Sequence, residues 1–217
     1  MVTKWLMVVS GSTDADFRDS LARGSPDDAQ CRCEPAEITG HMSSSESALV
    51  VLVPEAEAVA KPFRDRYDPS AAAGVPAHIT LLHPFKAPDE IDDLILGELR
   101  DCFADLEPIP FSLGAIRRFP GGVLYLAPEP DEPFRQLTLS IWKRFPETPP
   151  YGGKWPDIIP HLSVAQLANE AQLTAIEEDF SRASQSKLPI PAIASEVALM
   201  ESRSGRWKVR VVFDLGT

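Results

Sequence analysis

The chain has too few cysteines for a disulfide framework and too few histidines for a metal site built on imidazoles. Its three cysteines, Cys31, Cys33 and Cys102, leave one unpaired in any scheme, and Cys31-Arg32-Cys33 lacks the spacing and second pair of a zinc site. Reduced thiols in a cytoplasmic protein are therefore expected, with no metal and no cofactor. Long apolar runs are missing as well: none reaches the roughly 18 residues of a membrane span. The opening MVTKWLMVVSGSTDADF carries one lysine and no small-residue cleavage site, with Asp14 and Asp16 close behind, so it does not read as a secretion signal. Cations are scarce too. With 21 Lys and Arg against 32 Asp and Glu, the net charge is −11 over 217 residues. Gripping long nucleic acid by its phosphates needs many basic contacts, so that class is not expected. A nucleotide or an RNA end needs only a locally favourable pocket, and remains open. A monomer that avoids membranes is the expectation.

What is present is a patterned domain behind an unpatterned extension. Residues 1–45 are rich in Gly, Ser, Asp and Pro without a sustained period, which predicts a poorly ordered extension. His41 lies there and is given no role. From Ala48 the pattern sharpens. ALVVLVP (48–54) reads as a strand, and 55–68 places Val59, Phe63 and Tyr67 at helical spacing. The strand HITLLHPF follows, then a helix over 89–106 with Asp89 as its N-cap. Strands at 109–119 and 123–128 are joined by Pro-Gly-Gly. A helix over 132–145, a Pro/Gly-rich loop, the strand PHLSVAQL (160–167) and a helix near 170–183 come next. The chain ends in strands at 190–202 and 206–215.

The order of elements repeats. Strand start 48 maps to 123 (offset 75), helix start 55 to 132 (77), His78 to His161 (83), helix 89 to 170 (81) and Ile109 to Ile190 (81). The rise in offset is absorbed by the longer loop at 146–159. Such a duplication predicts two related lobes, 48–119 and 122–202, with a final strand at 206–215. The fold class is α+β: two pseudo-symmetric lobes over 46–217, each a small mostly antiparallel sheet with helices on the outside, and a groove between them.

The duplication changes the meaning of His78. Its counterpart is another histidine, and each stands two residues before a hydroxyl: His78-Ile79-Thr80 and His161-Leu162-Ser163. On a strand, positions i and i+2 share a face, so each imidazole shares one with a hydroxyl. Ile79, Leu81, Leu162 and Val164 then point into a core. Lobes related by a pseudo-two-fold bring both pairs to one groove. Two imidazoles there divide general-base and general-acid work, and two hydroxyls donate to the non-bridging oxygens of a phosphate.

These residues resemble a known family. Two H-x-[ST]-x motifs roughly 80 residues apart on a two-lobed α+β fold mark the 2H phosphoesterases, and HITL (78–81) and HLSV (161–164) are similar to the 2′-5′ RNA ligase-like and cyclic phosphodiesterase branch. The resemblance covers residues 46–217. It implies His78 and His161 as the catalytic pair and Thr80 and Ser163 as phosphate ligands. It also implies action on 2′,3′-cyclic phosphates or 2′-5′ phosphodiester linkages of a nucleotide or RNA end. RNA-ligating members carry a basic residue shortly after the second motif. Here Gln166 stands instead, which favours hydrolysis over 2′-5′ ligation. A non-catalytic nucleotide or RNA-end binder is the alternative from another class.

Further pocket candidates are Arg117, Arg118, Lys86 and Lys154 as positive groups, and Tyr125 and Tyr151 as stacking rings. The loop PPYGGKWPD leads directly into the second histidine strand and is well placed to shape a pocket. His83 alternates to the face opposite His78, and core packing is its expected role.

Overall fold

Short β-branched runs and helical apolar stripes alternate along the chain, and the structure follows that order. In the computed structural model, which describes residues 45–167 and 169–216, β1 (Glu46–Leu52) leads into α1 (Pro54–Tyr67), the single turn α2 (Pro69–Ala72) and β2 (His78–Leu82). A 3₁₀ turn (Pro88–Glu90) and α3 (Asp93–Phe103) precede the hairpin of β3 (Ile109–Phe119) and β4 (Val123–Glu129). Then come α4 (Glu132–Arg144), a second 3₁₀ turn (Pro150–Gly153), β5 (Leu162–Gln166) and α5 (Glu170–Ser184). The last elements are β6 (Ile190–Ala194), β7 (Glu196–Ser202) and β8 (Trp207–Asp214). The extension expected over 1–45 lies, but for its last residue, outside the described residues.

Local chemistry sets the element ends. Pro54 opens α1, where its missing N–H is one the helix leaves unpaired anyway. The Asn169 side chain caps α5 by accepting the Gln172 N–H at 3.1 Å. The expected cap of α3 moves. Ile91 is extended (φ −89, ψ 98), so the 3₁₀ turn and the helix are separate, and Asp92 rather than Asp89 accepts the Ile95 N–H. Asp89 pairs with Arg203 instead.

Two four-stranded antiparallel sheets result, in the orders β2-β1-β7-β8 and β5-β4-β3-β6. β1 and β4 take the same place in the two orders, as do β2 and β5, as the repeat expects; β3, however, takes the place of β7 and not of β6, so the expected match of Ile109 to Ile190 does not hold. The expected lobes 48–119 and 122–202 do not describe how strands are sorted either. β3, from the first repeat, pairs with β4 of the second, and β7 returns to pair with β1. The single strand expected over 190–202 is two. Exposed Ser195 separates β6 in one sheet from β7 in the other.

The two sheets meet through their edge strands, β2 against β5, while α1 packs on β5 and α4 on β2. A continuous core runs behind both, with Leu49, Ile79, Leu124, Leu162, Phe103, Phe134 and Phe180 fully buried. Burial of each such side chain is worth about 2–3 kcal/mol. Strand-crossing between repeats and a shared core make the lobes one cooperative body, so the gap between β2 and β5 is held from both sides. Among the described residues no helix is long and apolar enough to cross a membrane.

Candidate active site

Strand register delivers the two His/hydroxyl pairs. In the first sheet Leu52 lies opposite His78 and Val50 opposite Thr80. In the second, Tyr125 lies opposite Ser163, and His161 stands just ahead of Leu162 at the start of β5. The intervening Ile79, Leu81, Leu162 and Val164 are buried, which anchors the strands from the opposite face. His78, Thr80, His161 and Ser163 all line one cavity of about 150 Å³. Its floor on the first sheet is apolar: Ala48, Val50, Met200 and Trp207.

The two imidazoles are held the same way. Nδ1 of His78 is 2.7 Å from the Pro76 carbonyl, and Nδ1 of His161 is 2.7 Å from the Ile159 carbonyl, two residues back in each case. A carbonyl only accepts, so Nδ1 carries the proton and Nε2 is the nitrogen that can accept one. Their electrostatics differ. His78 is buried and its pKa is lowered to about 4, first by desolvation, then by the Arg64 guanidinium; the Pro76 hydrogen bond and Asp68 oppose this, and His161 lowers it further. His161 is also lowered by desolvation, with its Ile159 hydrogen bond and Asp68 pulling upward. No arginine acts on it there. His161 rests against two rings, Phe119 edge-on at 4.9 Å and Tyr125 at 5.4 Å, which themselves stack at 4.2 Å.

The loop before β5 closes the cavity. Tyr151, Gly152 and Gly153 are all left-handed, with φ of 54, 64 and 71. For a tyrosine that conformation costs about 1–2 kcal/mol. The Tyr151 N–H donates to the His83 carbonyl at 2.7 Å and holds it there. Burial pushes the Tyr151 phenol up to about 12, so it stays a neutral donor. Lys154 and Trp155 reach the cavity from the same loop. A second, largely apolar slot of about 250 Å³ opens beside His161 between Phe119, Pro120, Trp155, Pro156 and Ile159, and Tyr151, Trp155 and His161 line both.

Other candidates fall elsewhere. Tyr125 is buried beneath His161 rather than lining the cavity, so it supports an imidazole instead of presenting a face to a base. Arg117 sits opposite it on β3, exposed and outside the walls. Arg118 is committed to Glu177, Glu170 and Thr174 of α5, and Lys86 to Glu147. His83 is corrected in the other direction. It lines the cavity, with its ring 5.9 Å from Trp207 and Nε2 3.5 Å from Glu46. Strand alternation does not reach it, because β2 ends at Leu82. Gln166 also lines the cavity, opposite Val123. Trp207 and Phe119 belong to no motif; local hairpins place them against β7 and β4, and the pairing of those strands with β1 and β5 brings them here. Among the described residues no group of three or more His, Cys, Asp or Glu is gathered so as to hold a metal ion.

Comparison with known proteins agrees with this fold. A Bacillus licheniformis protein, named "Putative phosphoesterase", is 26% identical over 171 residues, covering 77% of this chain and 97% of its own. A Bacillus pumilus protein of the same name is 31% identical over 126 residues, covering 56% and 70%. The crystal structure of Escherichia coli LigT complexed with 3′-AMP superposes with a TM-score of 0.56 at 16% identity, covering 80% of this chain and 99% of that one. That likeness is one of fold. Residues 52–206 match the 2′-5′ RNA ligase superfamily, and with that match spanning most of the folded domain, the chain belongs to this superfamily of 2H phosphoesterases.

Proposed function

We propose that the chain is a phosphodiesterase that opens a 2′,3′-cyclic phosphate, or a similar 2′-5′ phosphodiester, on a nucleotide or RNA end by two-histidine general acid–base catalysis. Family membership and the names of its relatives support phosphoesterase activity in general. The observation that carries the finer reading is the pair of Nδ1-anchored imidazoles, each two residues ahead of a hydroxyl, opening into one cavity.

His78, neutral down to about pH 4, is the base. Its Nε2 takes a proton from water as the water oxygen bonds to phosphorus. The bond from phosphorus to the leaving ribose oxygen breaks, and that oxygen takes the proton from Nε2 of His161. Thr80 and Ser163 donate to the non-bridging oxygens, and Lys154 and the Tyr151 phenol add positive potential and a donor at the rim. The slot between Phe119 and Trp155 receives the base of the nucleotide, as its apolar walls suit a ring and not a second phosphate.

The test is turnover of 2′,3′-cyclic nucleotides and of short RNAs with cyclic ends, with products identified by phosphorus NMR. His78→Ala and His161→Ala each reduce kcat by about 10²-fold or more with the fold intact. Binding without turnover in the wild type identifies a binder instead. Formation of 2′-5′ linkages from cyclic ends identifies a ligase.

A further inference from the structure

Each histidine hangs from a carbonyl two residues back, and the next carbonyl upstream is gripped in turn by an arginine. Arg64, on α1 and almost wholly buried, donates from Nη2 to the Val75 carbonyl at 3.1 Å, three residues before His78. Arg135, on α4, donates from Nη1 to the Ile158 carbonyl, three residues before His161. Each guanidinium is oriented by an aspartate four residues away. Arg64 Nε is 3.0 Å from Asp68, and Arg135 Nη2 is 2.8 Å from Asp131.

We propose that Arg64 and Arg135 are positioning residues, one behind each histidine, that fix the backbone on which the two imidazoles are hung. Sequence duplication alone does not account for the match. The arginines are 71 residues apart and the histidines 83, so the pairs do not align, and the aspartate follows Arg64 but precedes Arg135. The two lobes reach the same contact from opposite ends of their helices. Backbone geometry explains the need. The lead-in to each histidine is irregular chain; the Val53 N–H holds the Ala77 carbonyl at 2.8 Å, but the Val75, Pro76, Ile158 and Ile159 carbonyls are bonded by side chains. On the first side Arg64 also bonds Ser70 Oγ at 3.0 Å, Asp68 accepts the Ser70 N–H and hydroxyl, and Glu57 accepts the Ala77 N–H at 2.7 Å. On the second side, Arg135 on Ile158 and His161 itself on Ile159 are the side chains that bond lead-in carbonyls, among the described residues.

The inference rests on the two-histidine reading, but its primary measurement does not need turnover. Long-range proton–nitrogen correlation spectra report which imidazole nitrogen bears the proton. Wild type gives a single Nδ1–H tautomer for both histidines in their neutral forms. Arg135→Gln is the informative variant, because Arg135 is half-buried and its removal leaves a partly exposed aspartate. His161 then shows both tautomers while His78 is unchanged, and Arg135→Lys restores part of the wild-type pattern. Where the cyclic phosphate is turned over, kcat falls by about tenfold or more with KM changed less than about twofold. Arg64→Gln does the same to His78 if it folds. A single Nδ1–H tautomer for His161 in Arg135→Gln overturns the inference, whatever the activity. Absence of turnover in the wild type overturns the proposed reaction and leaves the tautomer result to decide this one.

Discussion

Acidification should unfold this protein partly through one imidazole, and the size of the effect is set by the burial of His78. Its pKa falls from 6.5 to about 4 in the folded protein, a difference of about 2.5 units. At 1.36 kcal/mol per unit this is about 3 kcal/mol of linked free energy. The sign follows from which state binds the proton. Above pH 6.5 neither state is protonated at this group and it contributes no pH dependence. As the pH falls through 6.5 the unfolded chain takes a proton that the folded one refuses, so stability drops. The loss is complete by about pH 4, where the folded form also protonates. Urea unfolding of wild type and His78→Gln, followed from about pH 7 to about pH 4, isolates the term. Glutamates held low by cations, Glu201 by Arg203 and Glu147 by Lys86, also cost stability on acidification, but equally in both proteins. The stability of wild type relative to His78→Gln should therefore fall by about 3 kcal/mol over that range. A difference that stays constant within about 1 kcal/mol, or an imidazole that titrates near its ordinary value, refutes the placement of His78.

The remaining expectations concern activity and the support of the site. The kcat/KM of the free enzyme for a 2′,3′-cyclic nucleotide should rise through about pH 4 as His78 loses its proton and fall below pH 6.5 as His161 does; an optimum in alkaline solution contradicts these roles. Activity should survive EDTA in full, since the proposed chemistry draws on imidazoles and hydroxyls alone; loss restored by a divalent cation sinks it. Tyr125→Ala removes the buried ring under His161, costing about 3–5 kcal/mol of stability in thermal unfolding together with activity, whereas Tyr125→Phe keeps the ring and should retain both.

The histidine pair was legible because two simple periods coincided: the two-residue alternation of a strand and the repeat offset of 83 that links His78 to His161. Alternation also assigned Ile79, Leu81, Leu162 and Val164 to the core correctly, since all four are buried. Where a strand ends, the rule ends with it. His83 lies one residue beyond β2, and its assignment to the core failed for that reason. The exchange of β3 and β7 between sheets was not legible either. An apolar strand carries the same pattern whichever neighbour it joins, and Ser195 gave no turn signal strong enough to separate β6 from β7. Tyr125 was on the right face but at the wrong depth, because Phe119 and His161 cover it. Trp207 is joined to β7 by a local hairpin, and it reaches the cavity because β7 pairs with distant β1, a contact no local window contains.

A pseudo-symmetric site needs something to make its reaction directional, and the backbone does not provide it. Both imidazoles hang from the carbonyl two residues back, both precede a hydroxyl, and both are desolvated. Asp68 raises both. Two charges distinguish them: Arg64, and after it His161 itself, lower His78, whereas His161 is lowered by desolvation. Arg135 grips the same carbonyl position on the other side but is half exposed, where water screens its charge. Similar contacts thus serve geometry on both sides, and on the first side Arg64 also lowers its histidine. On the two-histidine reading this assigns the base to the first lobe and the acid to the second. Exchanging the two burial environments, rather than the two histidines, is what would reverse the order of proton transfer.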